Sequence, residues 1–225
     1  FLKTGIGFHS NDTRVVVANG GEEILPAAYS ADLGTIIKPM PRLALNATLW
    51  ALFLDQEFVY VGDAGIVEPS GKTRRMGVEA GARYQLTDWL YVFADANYTH
   101  ARSTEEADGE DYIPLAPKFT SAGGLSVDNL SGFSGSLGYR WLGDRAANED
   151  NSIVAEGYFV TDFNLNYTIE NWTLGVIVEN LLDTSWNETQ FATESRLFNE
   201  PAPVEEIHFT PGTPFYLRGK ITYRF

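Results

Sequence analysis

Apolar and polar side chains alternate with a period of two along several stretches of this 225-residue sequence. Side chains of a β-strand point to opposite faces in turn, so this period predicts strands with one apolar face and one polar face. In one stretch, Val92 and Tyr98 share a face and Asp95 lies on the other. The clearest examples are residues 89–100, 158–169 and 213–225.

The whole chain divides into ten predicted antiparallel strands. They lie near residues 1–8, 28–38, 42–54, 73–85, 89–100, 117–127, 131–142, 156–169, 171–182 and 213–225. Tight turns at Pro39 to Pro41, Thr87 and Asp88, Asn129 and Leu130, and Glu170 alternate with long segments at 9–27, 55–72, 101–116, 143–155 and 183–212. Short turns at one end and long loops at the other are typical of outer-membrane barrels, with turns in the periplasm and loops outside the cell.

Aromatic residues on the apolar faces collect at both strand ends. The turn-end set is Tyr84, Tyr167, Trp172 and Tyr223, and the loop-end set is Phe53, Tyr98, Tyr139, Trp141, Phe159 and Phe215. Bilayers concentrate amphipathic rings at their two interfaces. A strand of about ten residues tilted by about 45° spans roughly 23 Å, which fits the apolar band of such barrels. Both features favour lipid as the solvent of the apolar face.

The fold class predicted is therefore all-β, an antiparallel transmembrane β-barrel. The alternative is a soluble sandwich or lipocalin-like barrel, in which the apolar faces would point into a core. Ten strands in lipid would leave unpaired edges that cost several kcal/mol per backbone group. The ten strands must therefore either close on themselves as a small barrel or pair with further strands outside this chain. In the second case, which we favour, residues 1–225 are the C-terminal portion of one barrel domain.

Composition excludes several functions. The net charge of -14 argues against a nucleic-acid partner, because binding phosphates requires clustered Lys and Arg. Without cysteine, the chain has no disulfide, thiolate metal site or thiol nucleophile. No Gly-x-Ser-x-Gly, His-Glu-x-x-His or P-loop pattern occurs, so the sequence predicts neither an enzyme nor a cofactor site.

Two groups of residues suggest metal binding only weakly. His9, His100 and His208 all map to the loop side, but they belong to strands too far apart to share one ion without loop folding. An acidic cluster, defined as Glu105, Glu106, Asp108, Glu110 and Asp111, lacks the ligand spacing of a calcium loop. We expect no metal site, and we hold attraction of a cationic ligand or of divalent-bridged lipopolysaccharide to the acidic cluster as a hypothesis.

Several segments resemble the C-terminal half of TonB-dependent outer-membrane receptors. They are Gly7-Phe8-His9-Ser10-Asn11-Asp12, Thr73-Arg74-Arg75 with Gly77 and Glu79, Asn180-Leu181-Leu182-Asp183, and Phe209-Thr210-Pro211-Gly212. The terminal Tyr223-Arg224-Phe225 resembles the signal that the barrel assembly machinery recognises, with Tyr223 and Phe225 in the lipid-facing register.

The resemblance implies a 22-stranded barrel, of which this chain supplies about ten strands, and a plug domain absent from these residues. It implies the outer membrane of a Gram-negative bacterium, energy from the TonB complex through the plug, and contact with lipid and lipopolysaccharide. The function implied is uptake of a scarce nutrient, most often a ferric siderophore or similar metal complex. A passive porin, or a structural or adhesive barrel, is the alternative.

Ligand contacts are expected on polar faces near the loop end and on the longest outer loop. The candidates are Asp95, Asn97, Arg140, Asp162, Trp186 and Phe191. Hydration of the barrel wall or packing within the loops is the alternative explanation for each of them.

Overall fold

A computed structural model describes residues 1–9, 17, 25–56, 58–61, 66–69 and 71–225. These residues form sixteen strands. They are β1 Leu2–Phe8, β2 Ala27–Met40, β3 Leu43–Leu54, β4 Phe58–Val61, β5 Ile66–Pro69, β6 Thr73–Gln85, β7 Leu90–Ser103, β8 Phe119–Leu130, β9 Phe133–Leu142, β10 Arg145–Ala146, β11 Val154–Ala155, β12 Tyr158–Ile169, β13 Trp172–Glu179, β14 Asn187–Ser195, β15 Val204–Pro211 and β16 Tyr216–Tyr223.

Ten of these strands form one large sheet with the order β1-β2-β3-β6-β7-β8-β9-β12-β13-β16. Every neighbouring pair is antiparallel, and each strand pairs with the next sheet strand along the chain. All ten predicted strands are therefore confirmed, as is the all-β antiparallel class. Within the described residues β1 and β16 end the order without pairing, so the total of 22 strands stays a prediction.

The tight turns differ slightly from their predicted positions. Strand β8 continues to Leu130, and the turn to β9 is Ser131-Gly132, with φ angles of 52° and 89°. Two positive φ angles match the right-handed twist of the flanking strands, and glycine adopts such a φ without strain. Strand β2 passes through Pro39 to Met40, with a register shift between Ile37 and Met40. A local bulge lets proline lie inside a strand.

Three of the long connections contain short hairpins that the alternation did not predict. Strand β4 pairs with β5, β10 with β11, and β14 with β15, each pair forming its own two-stranded sheet. The segment 9–27 is the first of the five predicted long connections, and most of it lies outside the described residues. The part Ser10-Asn11-Asp12 of the first family-like segment lies outside them as well.

Strand register aligns the apolar faces across the whole sheet. Tyr98 lies opposite Val78 on one side and Phe119 on the other. Aromatic rings meet at both ends of this face. The loop-end contacts are Phe119 with Trp141 at 4.8 Å and Tyr139 with Phe159 at 5.5 Å, and the turn-end contacts are Phe133 with Tyr167 at 4.6 Å and Trp172 with Tyr223 at 4.7 Å.

The apolar face of the sheet is exposed. Ile221 is 72% exposed, Leu33 58% and Trp172 48%, and in the described part of the chain no second layer covers them. A soluble sandwich would bury these side chains, so the geometry favours the barrel wall. Buried residues gather instead where the loops fold together at the loop end, among them Ala101, Ile113, Ala146, Ala147, Ala155 and Val160.

The chain terminus lies at the turn end of the apolar face. Tyr223 pairs with Trp172, and its ring lies 5.7 Å from that of Phe225, which is fully exposed. The role of Tyr223 and Phe225 as an assembly signal stays a prediction. None of the helical segments among the described residues is both long and apolar enough to cross a membrane.

Candidate functional site

Ion pairs link neighbouring strands on the polar face. Arg83 of β6 lies 2.7 Å from Asp95 of β7, and Arg140 of β9 lies 3.8 Å from Asp162 of β12. All four side chains are about half exposed, so solvent screens the attraction and each pair contributes about 0–1 kcal/mol to stability. Such weak pairs can exchange their partners for a ligand at little energetic cost.

Arg140 also contacts an aromatic residue of the longest loop. Its guanidinium lies 5.5 Å from the centroid of the Trp186 ring, and that ring packs on Tyr158 at 4.7 Å. A cation over an indole face is attracted by the ring quadrupole, by about 0.5–1 kcal/mol at an exposed site. Arg140, Asp162, Trp186 and Tyr158 therefore form one group of charge and aromatic surface at the loop end.

Asn180 holds Trp186 over this group. The side chain of Asn180 accepts a hydrogen bond from the backbone of Thr184 at 2.9 Å and donates to the carbonyl oxygens of Thr184 and Thr213 at 2.8 and 3.1 Å. Trp186 Nε1 donates to the same Thr213 oxygen at 3.1 Å. The backbone N–H of Asn180 donates to Asp162 Oδ1 at 3.0 Å, so one turn positions both the carboxylate and the indole.

Asp95 and Asn97 lie two strands away from Arg140 on the same face. Asp95 and Arg140 are both register partners of Ala122, on either side of β8. A shallow concavity joins them, lined by Asn46, Glu79, Asp95, Asn97, Arg140 and Tyr158. Asn97 donates to Thr99 Oγ1 at 2.9 Å, while its Oδ1 is buried without a partner among the described residues. That oxygen is an acceptor available to a donor entering the concavity.

The last candidate, Phe191, is not part of this group. It lies in β14 opposite His208 and is half-buried. Its neighbour Gln190 is 3% exposed and exchanges two hydrogen bonds with the backbone of Glu156, at 2.8 and 3.1 Å. The β14–β15 hairpin is thereby attached to the barrel rim next to Tyr158. Four of the six predicted residues thus lie on the polar face of the sheet, Trp186 contacts that face from the loop, and Phe191 lies on the hairpin.

Sequence reasoning missed Tyr158, Glu79 and Gln190. Glu79 lies on the polar face of β6, and its position opposite Asn97 in the register would have added it to the group. Tyr158 begins β12 on the polar side of Phe159, a position that the alternation gives. Gln190 had no signal, because its partner Glu156 is 34 residues away and belongs to another loop.

In the described part of the chain, neither the three histidines nor the acidic cluster forms a set of metal ligands. Among the described residues no three His, Asp or Glu side chains lie close enough together to hold an ion. His208 Nε2 lies 3.0 Å from Ser195 Oγ, within the β14–β15 hairpin. In the acidic cluster, Asp111 forms an ion pair with Arg102 at 3.2 Å, and both side chains are largely buried. This member of the cluster therefore stabilises the loop.

A second concavity lies among the loops. Its lining includes His100, Arg102, Tyr112, Lys118, Asp144 and Arg145. Burial lowers the pKa of Arg145, while Tyr158 and Asp144 raise it in part. Arg145 Nη1 is buried without a hydrogen-bond partner in the described residues. Arginine stays protonated at neutral pH, so a partly desolvated cation lies beside this space.

The sequence of residues 20–181 matches the family described as TonB dependent receptor-like, beta-barrel. The chain belongs to this family. A TonB-dependent receptor barrel accounts for the exposed apolar face, the short turns and the long loops together. Families of this kind comprise receptors and transporters.

Individual receptors are similar to this TonB-dependent receptor chain. The ferrioxamine receptor of Yersinia enterocolitica is 26% identical over 144 residues, which cover 63% of this chain and 20% of that protein. The ferric citrate transporter FecA in its unliganded form has a TM-score of 0.72 at 19% identity, covering 98% of this chain and 35% of that one. The ferric yersiniabactin uptake receptor FyuA of Yersinia pestis has a TM-score of 0.68 at 15% identity, covering 100% of this chain and 34% of that one.

The structural likenesses, at these low identities, show the fold alone. The chain spans about a fifth to a third of the length of these relatives.

Proposed function

We propose that this chain is part of an outer-membrane receptor that takes up a metal chelate, most often a ferric siderophore, with energy from the TonB complex. The observation that carries the proposal is the group of Arg140, Asp162, Trp186 and Tyr158, which lies at the loop end of the polar face beside Asp95 and Asn97. Weak ion pairs and a half-buried indole ring suit a ligand that is charged and partly planar.

The names of several similar proteins support a metal chelate as the ligand class. The ferrioxamine receptor, the ferric citrate transporter and the ferric yersiniabactin receptor are each named for an iron complex. A copper transporter has the same fold, with a TM-score of 0.72 at 19% identity. We therefore propose the class of ligand and not one compound.

The partners proposed follow from the family. Receptors of this family are outer-membrane proteins of Gram-negative bacteria, and we propose the same location here. Lipid and lipopolysaccharide would surround the apolar face. The TonB complex would act through a plug domain encoded outside these residues, and the assembly machinery would read Tyr223 and Phe225.

Uptake of labelled iron tests the function. The complete gene product would be expressed in a strain that lacks its own iron receptors, and offered ferrioxamine, ferric citrate and ferric catecholates in turn. We expect accumulation of at least one chelate, abolished by a protonophore and by loss of TonB. Accumulation that survives both treatments would identify a passive porin, and no accumulation of any chelate would contradict the proposal.

Two variants test the site. Arg140→Ala and Trp186→Ala each remove one side chain proposed to contact the chelate. A single cation–π contact with the ligand is worth about 0.5–2 kcal/mol, so each variant should bind the transported chelate roughly 2- to 30-fold more weakly. Arg42→Ala is the control, because Arg42 pairs with Asp88 at the turn end, far from the group. Equal chelate affinity in all three variants would remove Arg140 and Trp186 from the site.

A further inference from the structure

Within the ten described sheet strands, the apolar face carries charged side chains or histidines at one place only. Among the apolar-face positions of the ten described sheet strands, these are Arg74 of β6 and His100 and Arg102 of β7. All three are basic, although the chain as a whole has a net charge of -14. We call Arg74, His100 and Arg102 the outer basic patch.

The outer basic patch lies just beyond the loop-end aromatic residues. Arg74 is the register partner of Arg102, and Met76 is that of His100. His100 and Arg102 lie two and four residues past Tyr98, which at about 3.3 Å per residue is about 7 and 13 Å along the strand. Aromatic rings mark the interface of a bilayer, so the patch lies at the depth of the lipid headgroups.

The charges within this patch are not balanced. Like charges directly opposite each other on neighbouring strands are destabilising, and Arg74 faces Arg102. Arg102 is neutralised by Asp111 at 3.2 Å and lies 4.0 Å over the Tyr112 ring. Arg74 makes no ion pair with the described residues, and its Nε is buried without a hydrogen-bond partner. Within the described part of the chain, the guanidinium of Arg74 therefore has no counter-charge.

The surroundings of Arg74 suit an amphiphilic anion better than a free ion. Its register partner on the other side is Phe53, 43% exposed, and Met76 follows two residues nearer the sheet centre at 38% exposure. Apolar side chains on the bilayer side of a cation can pack against acyl chains while the guanidinium binds the headgroup. Guanidinium groups bind phosphate through two parallel hydrogen bonds.

We propose that the outer basic patch binds a phosphate of a lipid A headgroup in the outer leaflet, with Arg74 as its main contact and His100 beside it. This site rests on the membrane location given under the proposed function. It does not rest on the identity of the transported chelate.

Lipid binding by the complete gene product, purified in detergent, tests the site. Bisphosphorylated lipid A would be titrated and the bound fraction measured by native mass spectrometry. We expect the double variant Arg74→Ala with His100→Ala to bind about tenfold more weakly, because charge-assisted hydrogen bonds to phosphate are lost. The control is Arg218→Ala, which removes an arginine of the polar face that pairs with Glu179. This variant should bind lipid A like the unaltered protein.

Three outcomes would overturn the site. The double variant could bind lipid A as tightly as the unaltered protein, phosphate-free lipid A could bind equally well, or soluble pyrophosphate alone could occupy the patch with the same affinity. Iron uptake by the double variant separates this proposal from the receptor function. Normal uptake with unchanged lipid binding contradicts only the lipid site, whereas absence of the protein from the outer-membrane fraction contradicts the location on which both depend.

Discussion

Replacing Asn180 tests the idea that one residue holds the longest loop over the candidate site. Its side chain is 2% exposed and makes three hydrogen bonds, two to Thr184 and one to Thr213. Its φ angle is 49°, a conformation that disfavours most residues with a Cβ. At about 1 kcal/mol for each hydrogen bond and about 1 kcal/mol for the backbone, Asn180→Ala should lower the free energy of unfolding by about 4 kcal/mol.

Two further variants separate these contributions. Asn180→Gly removes the same three hydrogen bonds but adopts a positive φ freely, so it should lose about 3 kcal/mol. Asn129→Ala is the matched control, because Asn129 has a φ of 52° at the exposed end of β8 and its side chain forms no hydrogen bond to the described residues. It should lose only about 1 kcal/mol, from the backbone alone.

Urea unfolding of the complete gene product in lipid vesicles, followed by tryptophan fluorescence, measures these free energies. Hydrogen exchange at the Thr184 amide, which donates to Asn180, reports whether the loss is local to this turn. The reasoning is refuted if Asn180→Ala and Asn129→Ala lose the same free energy. It is also refuted if Asn180→Gly has no effect.

Two other perturbations have expected outcomes. Gly135→Ala would place a Cβ 2.3 Å from the backbone oxygen of Asn164, and it should lower the free energy of unfolding by about 1–3 kcal/mol in the same urea assay. In the control Gly219→Ala the added Cβ meets nothing within 4 Å, so the free energy of unfolding should change little. Equal losses in the two variants would contradict this expectation. The backbone and side chain of Ser152 hold the pKa of the Asp150 carboxyl below its usual 3.8, so an NMR titration should find a low midpoint that Ser152→Ala raises only part of the way. A lowered folded-state pKa means that this loop contact is present above the unfolded pKa and is lost as the pH falls through the folded one.

The large sheet was predictable because each of its strands carries the same alternation of apolar and polar side chains. Along β7 and β12, apolar side chains alternate with polar ones such as Asp95 and Asp162, and this alternation predicts which residues lie on each face. It also restricts the register of strand pairing, because a shift by one residue would move the apolar side chains to the opposite face. Short turns then order the strands as a meander, since antiparallel neighbours need no crossover. The same reasoning placed Asp95, Asn97, Arg140 and Asp162 on one face, where the structure has them.

The loops were not predictable in the same way. Strands β14 and β15 carry polar residues on both faces, so no alternation distinguishes them from irregular loop. Trp186 reaches Arg140 across 46 residues of chain, because the Asn180 turn folds the loop back over β9. The segment Asn180-Leu181-Leu182-Asp183 was identified by its resemblance to the family. That Asn180 holds the loop in place is seen only from its hydrogen bonds to Thr184 and Thr213. Contacts between residues so far apart in the chain produce no periodic pattern in the sequence from which they could be predicted.

The β14–β15 hairpin satisfies its backbone groups within itself and is attached to the rim mainly through Gln190. Its tip, around Leu197 and the fully exposed Phe198, pairs with no strand of the large sheet. Residues can therefore be added or replaced at this tip without shifting the register of the wall. Because the candidate site lies on the sheet and at the Asn180 turn, related chains can differ in length and composition at this tip while keeping the same group of charged and aromatic residues.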